Sequence, residues 1–238
     1  MVVMSSIKEQ LDPIFKPHSI AVVGASNNAL KWGWIILHNI LRSKYEGAIY
    51  PVNRNEDKVI GLKAYPSVRA IPESVDLVIV VIPAQSVTEI VEECIKSGVK
   101  GCVVITSGFR ESGEEGAKLE KDLVNVARRG GIRLVGPNCM GIFNPKLGVR
   151  QDNNQYHGKS GPVGFISQSG ALLTAVLDWS AKEGVGFSSV VSLGSMLDVG
   201  WGDIFTRAVG AGYFLTLICA DWRSKGVEDS IPRMLGRV

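Results

Sequence analysis

The 238-residue sequence predicts two consecutive parallel α/β units. Three observations carry this reading. Short β-branched runs stop abruptly at Gly, Asn or Pro, as strands buried on both faces do. Segments with helical apolar spacing follow those runs. Between Gly148 and Pro162 the pattern breaks once, in a stretch of Gly, Asn, Gln, Lys and Ser without apolar periodicity. That break predicts a first domain over residues 13–147, a linker over 148–161 and a second domain over 162–238.

In chain order, Ser19–Val23 is a strand that ends at Gly24, and Gly24–Asn28 is a turn. Trp32–Arg42 is a helix with apolar residues at Trp34, Ile35, Leu37 and Leu41. Ala48–Val52 is a strand stopped by Asn53, and Asp76–Ile82 is a strand closed by Pro83. Val87–Lys96 is an amphipathic helix, Gly101–Ile105 a strand, Glu114–Arg129 a helix and Arg133–Val135 a short strand. Past the linker the theme restarts with strand Val163–Ile166, turn Ser167–Gly170 and helix Ala171–Lys182. A strand over Gly186–Val191 and a helix over Asp198–Val209 follow. Such alternation builds right-handed βαβ units with helices on both faces of the sheet.

Composition excludes several classes. Apolar residues make up 45% and charged residues 21%, and 26 Lys and Arg stand against 23 Asp and Glu, so the net charge is only +3. The longest basic cluster is Arg128-Arg129, too short a track for a nucleic-acid backbone. The four cysteines, Cys94, Cys102, Cys139 and Cys219, form no CxxC pair, so neither metal-ligand spacing nor a disulfide framework is present. Met1–Lys8 lacks a signal-peptide core, and the apolar run Ala211–Ala220 is too short for a bilayer. The expectation is a cytoplasmic protein without a membrane or nucleic-acid partner.

The strand–turn–helix at Gly24 carries the first chemistry. A phosphate wants backbone N–H groups at a helix N-terminus and small residues that let the chain approach. Gly24, Ser26 and Ala29 take the three small positions of the G-x-G-x-x-G/A spacing, with Ser in the middle. An NAD site needs an acid at the tip of the second strand, and here the tip reads Tyr50-Pro51-Val52-Asn53-Arg54. Arg54 or Lys58 favours a phosphorylated ribose instead, which leaves NADP and coenzyme A open. No P-loop occurs. Ser167-Gln168-Ser169-Gly170, ahead of an apolar helix, is a second helix-start anion site.

Six ordered segments make the sequence resemble a known family. They are His18–Ser26, Ile49–Asn53, Val80–Ala84, Thr106–Phe109, Gly136–Gly141 and Ser167–Gly170. Together they resemble the α subunit, or α-like half, of ADP-forming acyl-CoA synthetases, relatives of succinyl-CoA synthetase. The resemblance runs from about Pro13 to Asp203. It implies a Rossmann-like coenzyme A-binding domain followed by a flavodoxin-like domain, within an oligomer. It implies the reaction acyl-CoA + ADP + phosphate ⇌ carboxylic acid + CoA + ATP, with ATP, ADP and Mg²⁺ held by an ATP-grasp β subunit or domain. Carried over motif by motif, Gly24, Ala25, Ser26 and Asn27 lie along the CoA phosphates. Pro51, Val52 and Asn53 border the nucleotide, with Arg54 or Lys58 nearby. Ile82, Pro83 and Ala84 face it across the crevice, and Thr106 and Ser107 approach the pantetheine end. Asn138 and Cys139 belong to the loop beside the reacting groups; Cys139 has no base near it in the sequence. The Ser167–Gly170 helix start is assigned to a phosphorylated histidine.

Two departures qualify the resemblance. The family passes phosphate through a histidine in a Gly- and Ser-rich loop, whereas this sequence holds only His18, His38 and His157, none in such a motif. Ser192–Val199 still follows the family pattern S-L-G-N-x-x-D-V, with Ser195 for Asn. Beyond about Phe205 the expected strand is not recognisable. These two facts predict an incomplete second domain, by truncation or a shifted reading frame. They also predict apolar surface exposed over Tyr213–Ala220 and a chain inactive alone. A non-catalytic CoA-binding module and an NADP-dependent oxidoreductase are the competing readings.

Overall fold

The computed structural model describes residues 6–145, 149–150, 159–210 and 215–219. His157, most of the expected linker and the tail beyond Cys219 lie outside the described residues. The chain opens with α1 (Ile7–Phe15), β1 (Ser19–Val23), α2 (Trp32–Arg42) and β2 (Ala48–Val52). A small hairpin, β3 (Lys58–Val59) and β4 (Leu62–Lys63), precedes β5 (Leu77–Val80), α3 (Val87–Lys96), β6 (Gly101–Val104), α4 (Glu114–Gly130) and β7 (Arg133–Val135). The second unit comprises β8 (Ile142–Asn144), β9 (Val149–Arg150), β10 (Ser160–Ser167), α5 (Gly170–Glu183), β11 (Phe187–Ser192), α6 (Trp201–Gly210) and β12 (Leu215–Cys219).

The first sheet has the order β2-β1-β5-β6-β7, and all its pairings are parallel. Its inner strands are buried on both faces, which is why they read as continuous apolar runs. Ile20 and Val22 of β1 and Leu77 and Ile79 of β5 pack on one side with α1 and α2. Ala21, Val23, Val78 and Val80 pack on the other with α3 and α4. The period of two along each strand assigns neighbours to opposite layers.

The second sheet has the order β12-β10-β11-β8-β9. Its strands β10, β11 and β12 are parallel, and β8 joins antiparallel to β11. This sheet differs from the sequence reading at several points. Strand β8, from the stretch expected to close the first domain, belongs to this second sheet. Strand β10 starts at Ser160, inside the expected linker. A strand does follow α6: the backbone of Leu215–Cys219 pairs in register with Val163–Ser167, so the expectation of no recognisable strand there is corrected. Tyr213 and Ala220 lie outside the described residues.

The two units share a core. Leu11 and Ile14 of α1, Ile79 of β5, Ile166 of β10, Val191 of β11 and Trp201 of α6 fall in one apolar cluster. Polar contacts close the seam. Arg133 donates from Nε to Asp198 Oδ2 at 2.9 Å and from Nη1 to Gln10 Oε1 at 2.8 Å, and its Nη2 lies 3.3 Å from Asp203 Oδ2. Asp198 Oδ2 also accepts from the Leu134 N–H at 2.9 Å. Burial alone would lower the Arg133 pKa, but the paired carboxylates Asp198 and Asp203 outweigh it and raise it.

Candidate functional site

Each sheet reverses its direction of growth once. From β1 the chain crosses to β2 on one side and later to β5 on the other. From β10 it crosses to β11 on one side and to β12 on the other. Loops diverge at such switch points and leave a crevice at the carboxyl ends of the strands, where open α/β sheets bind ligands. Here both switch points open on one cleft of about 1120 Å³.

From the first unit, Gly24, Ala25, Ser26 and Asn53 form one wall, with Ile82, Pro83, Thr106 and Ser107 opposite. From the seam and the second unit come Asn138, Cys139, Gln168, Ser169 and Gly170. Most of the residues singled out from the sequence are therefore gathered in one place, across more than 140 residues of chain separation.

The turn after β1 is shaped by close packing. Gly24 has φ +92°, and a Cβ there would sit 2.4 Å from the Val81 carbonyl oxygen. At Gly33, on the first turn of α2, a Cβ would sit 1.9 Å from the Gly24 carbonyl oxygen. The helix N-terminus is thus pressed directly onto the turn. Helix α2 has Lys31 at its N-cap with no side-chain cap hydrogen bond, and the N–H groups of Trp32 and Gly33 have no acceptor among the described residues. Uncapped N–H groups with the positive end of a helix behind them favour an anion. Asn53 ties the second strand tip to this turn by donating from Nδ2 to the Ala25 carbonyl at 2.7 Å. Ser26 Oγ accepts from the Asn28 N–H at 3.1 Å.

The opposite wall is braced from behind. Thr106 Oγ1 donates to the Ile82 carbonyl at 2.7 Å, locking the ends of β5 and β6 together. Glu111 accepts from the N–H groups of Gly108 at 2.7 Å and Phe109 at 3.2 Å, which fixes the loop that presents Ser107. Burial raises the Glu111 pKa, yet these backbone donors outweigh it and leave it lowered.

At the seam, Asn138 is exposed with φ +54°, and its N–H donates to the Thr106 carbonyl at 2.9 Å. Cys139 is buried, its thiol donates to the Val104 carbonyl at 3.3 Å, and burial pushes its pKa up to about 12. A neutral thiol with its proton engaged is no nucleophile. In the second unit Ser169 caps α5 by accepting from the Leu172 N–H at 3.3 Å. The Gln168 side-chain oxygen is buried without a hydrogen-bond partner among the described residues.

Other residues singled out from the sequence stand outside the cleft. Asn27 spends its side chain on the β3–β4 hairpin, donating to Glu56 and to the Lys58 carbonyl and accepting from the Ile60 N–H at 2.9 Å. Pro51 and Val52 are buried within β2, and Ala84 is buried behind the second wall. Ser167 is fully buried, exchanging hydrogen bonds with Ser169. Arg54 is 71% exposed and lies 4.0 Å from Glu89 on α3, and Lys58 is exposed on the hairpin. His18 is exposed ahead of β1, and His38 stacks on Trp34 with ring centroids 4.3 Å apart. Sequence reasoning missed Lys31, Asn55 and Met140, which line the cleft. A cation directly before the helix after the Gly24 turn was the available signal for Lys31.

Comparison with known proteins agrees with this architecture. Residues 18–145 match the family described as CoA binding domain, and residues 160–211 match the succinyl-CoA ligase like flavodoxin domain. Acetate–CoA ligase [ADP-forming] I of Archaeoglobus fulgidus is 47% identical over 190 residues, which cover 79% of this chain and 27% of that protein. Acetate–CoA ligase [ADP-forming] II subunit alpha of Pyrococcus furiosus is 45% identical over 194 residues, 82% of this chain and 42% of that one. The dinucleotide forming acetyl-coenzyme A synthetase 1 of Ca. Korarchaeum cryptofilum, solved in complex with phosphate and ADP, superposes with a TM-score of 0.90. It is 36% identical, over 95% of this chain and 49% of that one. The chain spans less than half the length of these relatives. Matched over more than half its length, the chain belongs to the CoA binding domain family and joins that domain to a succinyl-CoA ligase-like flavodoxin domain.

Proposed function

We propose that this chain is the CoA-binding, α-type portion of an ADP-forming acyl-CoA ligase, which interconverts acyl-CoA, ADP and phosphate with a carboxylic acid, CoA and ATP. The observation that carries the reading is the shared cleft: both switch points, one uncapped helix start and a second helix start converge there. The donor set fits CoA. The Gly24–Ser26 turn and the start of α2 suit a diphosphate. The unpartnered Gln168 oxygen suits an amide N–H of the pantetheine arm. Among the described residues no carboxylate lines the cleft to accept from an NAD ribose. CoA supplies its thiol as the acyl acceptor when bound.

The chain's own residues bind and orient. Gly24, Ala25 and Ser26 hold the phosphate end, while Ile82 and Pro83 confine it from the facing strand. Thr106, Ser107 and Asn138 border the path toward the second unit. Gln168, Ser169 and Gly170 offer a helix start to an anionic reactant there. ATP or ADP with Mg²⁺ binds on an ATP-grasp partner, a separate subunit or a further domain, and the whole assembles as an oligomer. The Pyrococcus relative, named as an α subunit, supports the separate-subunit arrangement.

Calorimetric titration of the chain with CoA, NADP and NAD tests the reading. CoA is expected to bind and both dinucleotides to bind at least tenfold more weakly. Preferential binding of NADP would replace this function with a redox one.

A further inference from the structure

Among the described residues that line the cleft, Lys31 alone carries a charge at neutral pH. It stands at the start of α2 beside the Gly24–Ser26 turn, exposed, and its ammonium has no carboxylate partner among the described residues. The two cations that the sequence offered for a phosphorylated ligand are placed elsewhere. Arg54 is drawn toward Glu89, 4.0 Å away, and Lys58 lies on the hairpin. The residues flanking Lys31 are exposed as well, Leu30 at 91% and Trp32 at 40%, so the three form a lip on the cleft.

We infer that Lys31 is the cation that pairs with the diphosphate of CoA, an assignment that rests on the reading of the cleft as a CoA site. A diphosphate on the Gly24–Ser26 turn brings about two negative charges to a place where backbone N–H groups and a helix end offer only partial ones. Among the described residues, Lys31 supplies the one full charge within the cleft. As a flexible ammonium on the lip, it follows the diphosphate without fixing its geometry. Among the described residues no second cation lines the cleft for the 3′-phosphate, which is therefore expected to contribute little to affinity.

The test is a titration of the wild type, Lys31→Ala and Lys31→Arg with CoA and with dephospho-CoA at low and high salt. Lys31→Ala is expected to weaken both ligands together, by roughly 10- to 100-fold for a lost charge-assisted contact. Lys31→Arg is expected to restore most of the loss. Added salt should weaken the wild type more than Lys31→Ala. Unchanged affinity in Lys31→Ala would overturn the inference. A loss confined to CoA, with dephospho-CoA unaffected, would also overturn it and move Lys31 to the 3′-phosphate. A folded wild type that binds neither ligand would instead refute the CoA reading itself. Because Lys31 is exposed, circular dichroism of both variants should match the wild type, which separates binding loss from misfolding.

Discussion

Cys139 shows how one residue's surroundings decide between chemistry and packing. It lines the cleft in a loop where a thiol nucleophile would be conspicuous, yet its proton is given to the Val104 carbonyl and burial pushes its pKa up to about 12. Cys94, on the buried face of α3, is pushed up to about 12 by the same cause. The linkage has a definite sign. Below about pH 9, the ordinary thiol value here, both thiols are neutral whether the chain is folded or not. As pH rises from about 9 toward 12, the unfolded chain ionises them and the folded chain resists. Stability is therefore expected to fall across that window, and urea midpoints measured from pH 8 to 11 should decline. Cys139→Ala should flatten part of the decline while leaving CoA affinity within about threefold. A variant that loses CoA binding without losing stability would return Cys139 to a functional role. Cys139 was readable as structural because no base accompanied it; its hydrogen bond to Val104, 35 residues away, was not readable.

At the level of elements, Asp198 joins the last strand of the first unit to the approach of α6. One carboxylate oxygen accepts from both the Arg133 side chain and the Leu134 backbone. Asp198→Ala leaves a largely buried guanidinium short of one partner and an N–H without its acceptor, a loss of about 2–3 kcal/mol. Asp203→Ala should cost less, since Arg133 keeps Asp198. Urea unfolding of the two variants checks the order, and equal midpoints would mean that the seam does not depend on this pair. Such a seam is invisible in sequence, where Arg133 and Asp198 stand 65 positions apart. The elements themselves were more legible. Strands buried on both faces announce themselves as apolar runs, so β1, β2 and β7 were legible to the residue and β5 and β6 to within two at either end. Helix α1 was hidden by Pro13 inside it, although Ser6 and Glu9 form a capping box that marks its start. The hairpin β8–β9 and the first residues of β10 were missed because β8 and β9 are only three and two residues long, and the polar and small residues at the start of β10 read as linker.

For the whole molecule, the fold opens both switch points onto one cleft. The sequence displayed both strand–turn–helix motifs, and the resemblance of six ordered segments tied them to one family. It did not reveal that Lys31 is the single charged side chain among the described residues that line the cleft, because exposure is set by packing around Gly24 and Gly33. Residues chosen by motif alone divided accordingly. Those at strand ends reached the cleft, whereas those one position earlier, such as Val52 and Ser167, were buried in the strands themselves. The measurement that tests the account most directly is a crystal structure of this chain with CoA bound. The account predicts the diphosphate on the Gly24–Ser26 turn at the start of α2, with Lys31 turned toward it and the pantetheine arm running past Thr106 toward Gln168. Density for CoA on another surface, or a diphosphate seated at the start of α5 instead, would contradict it.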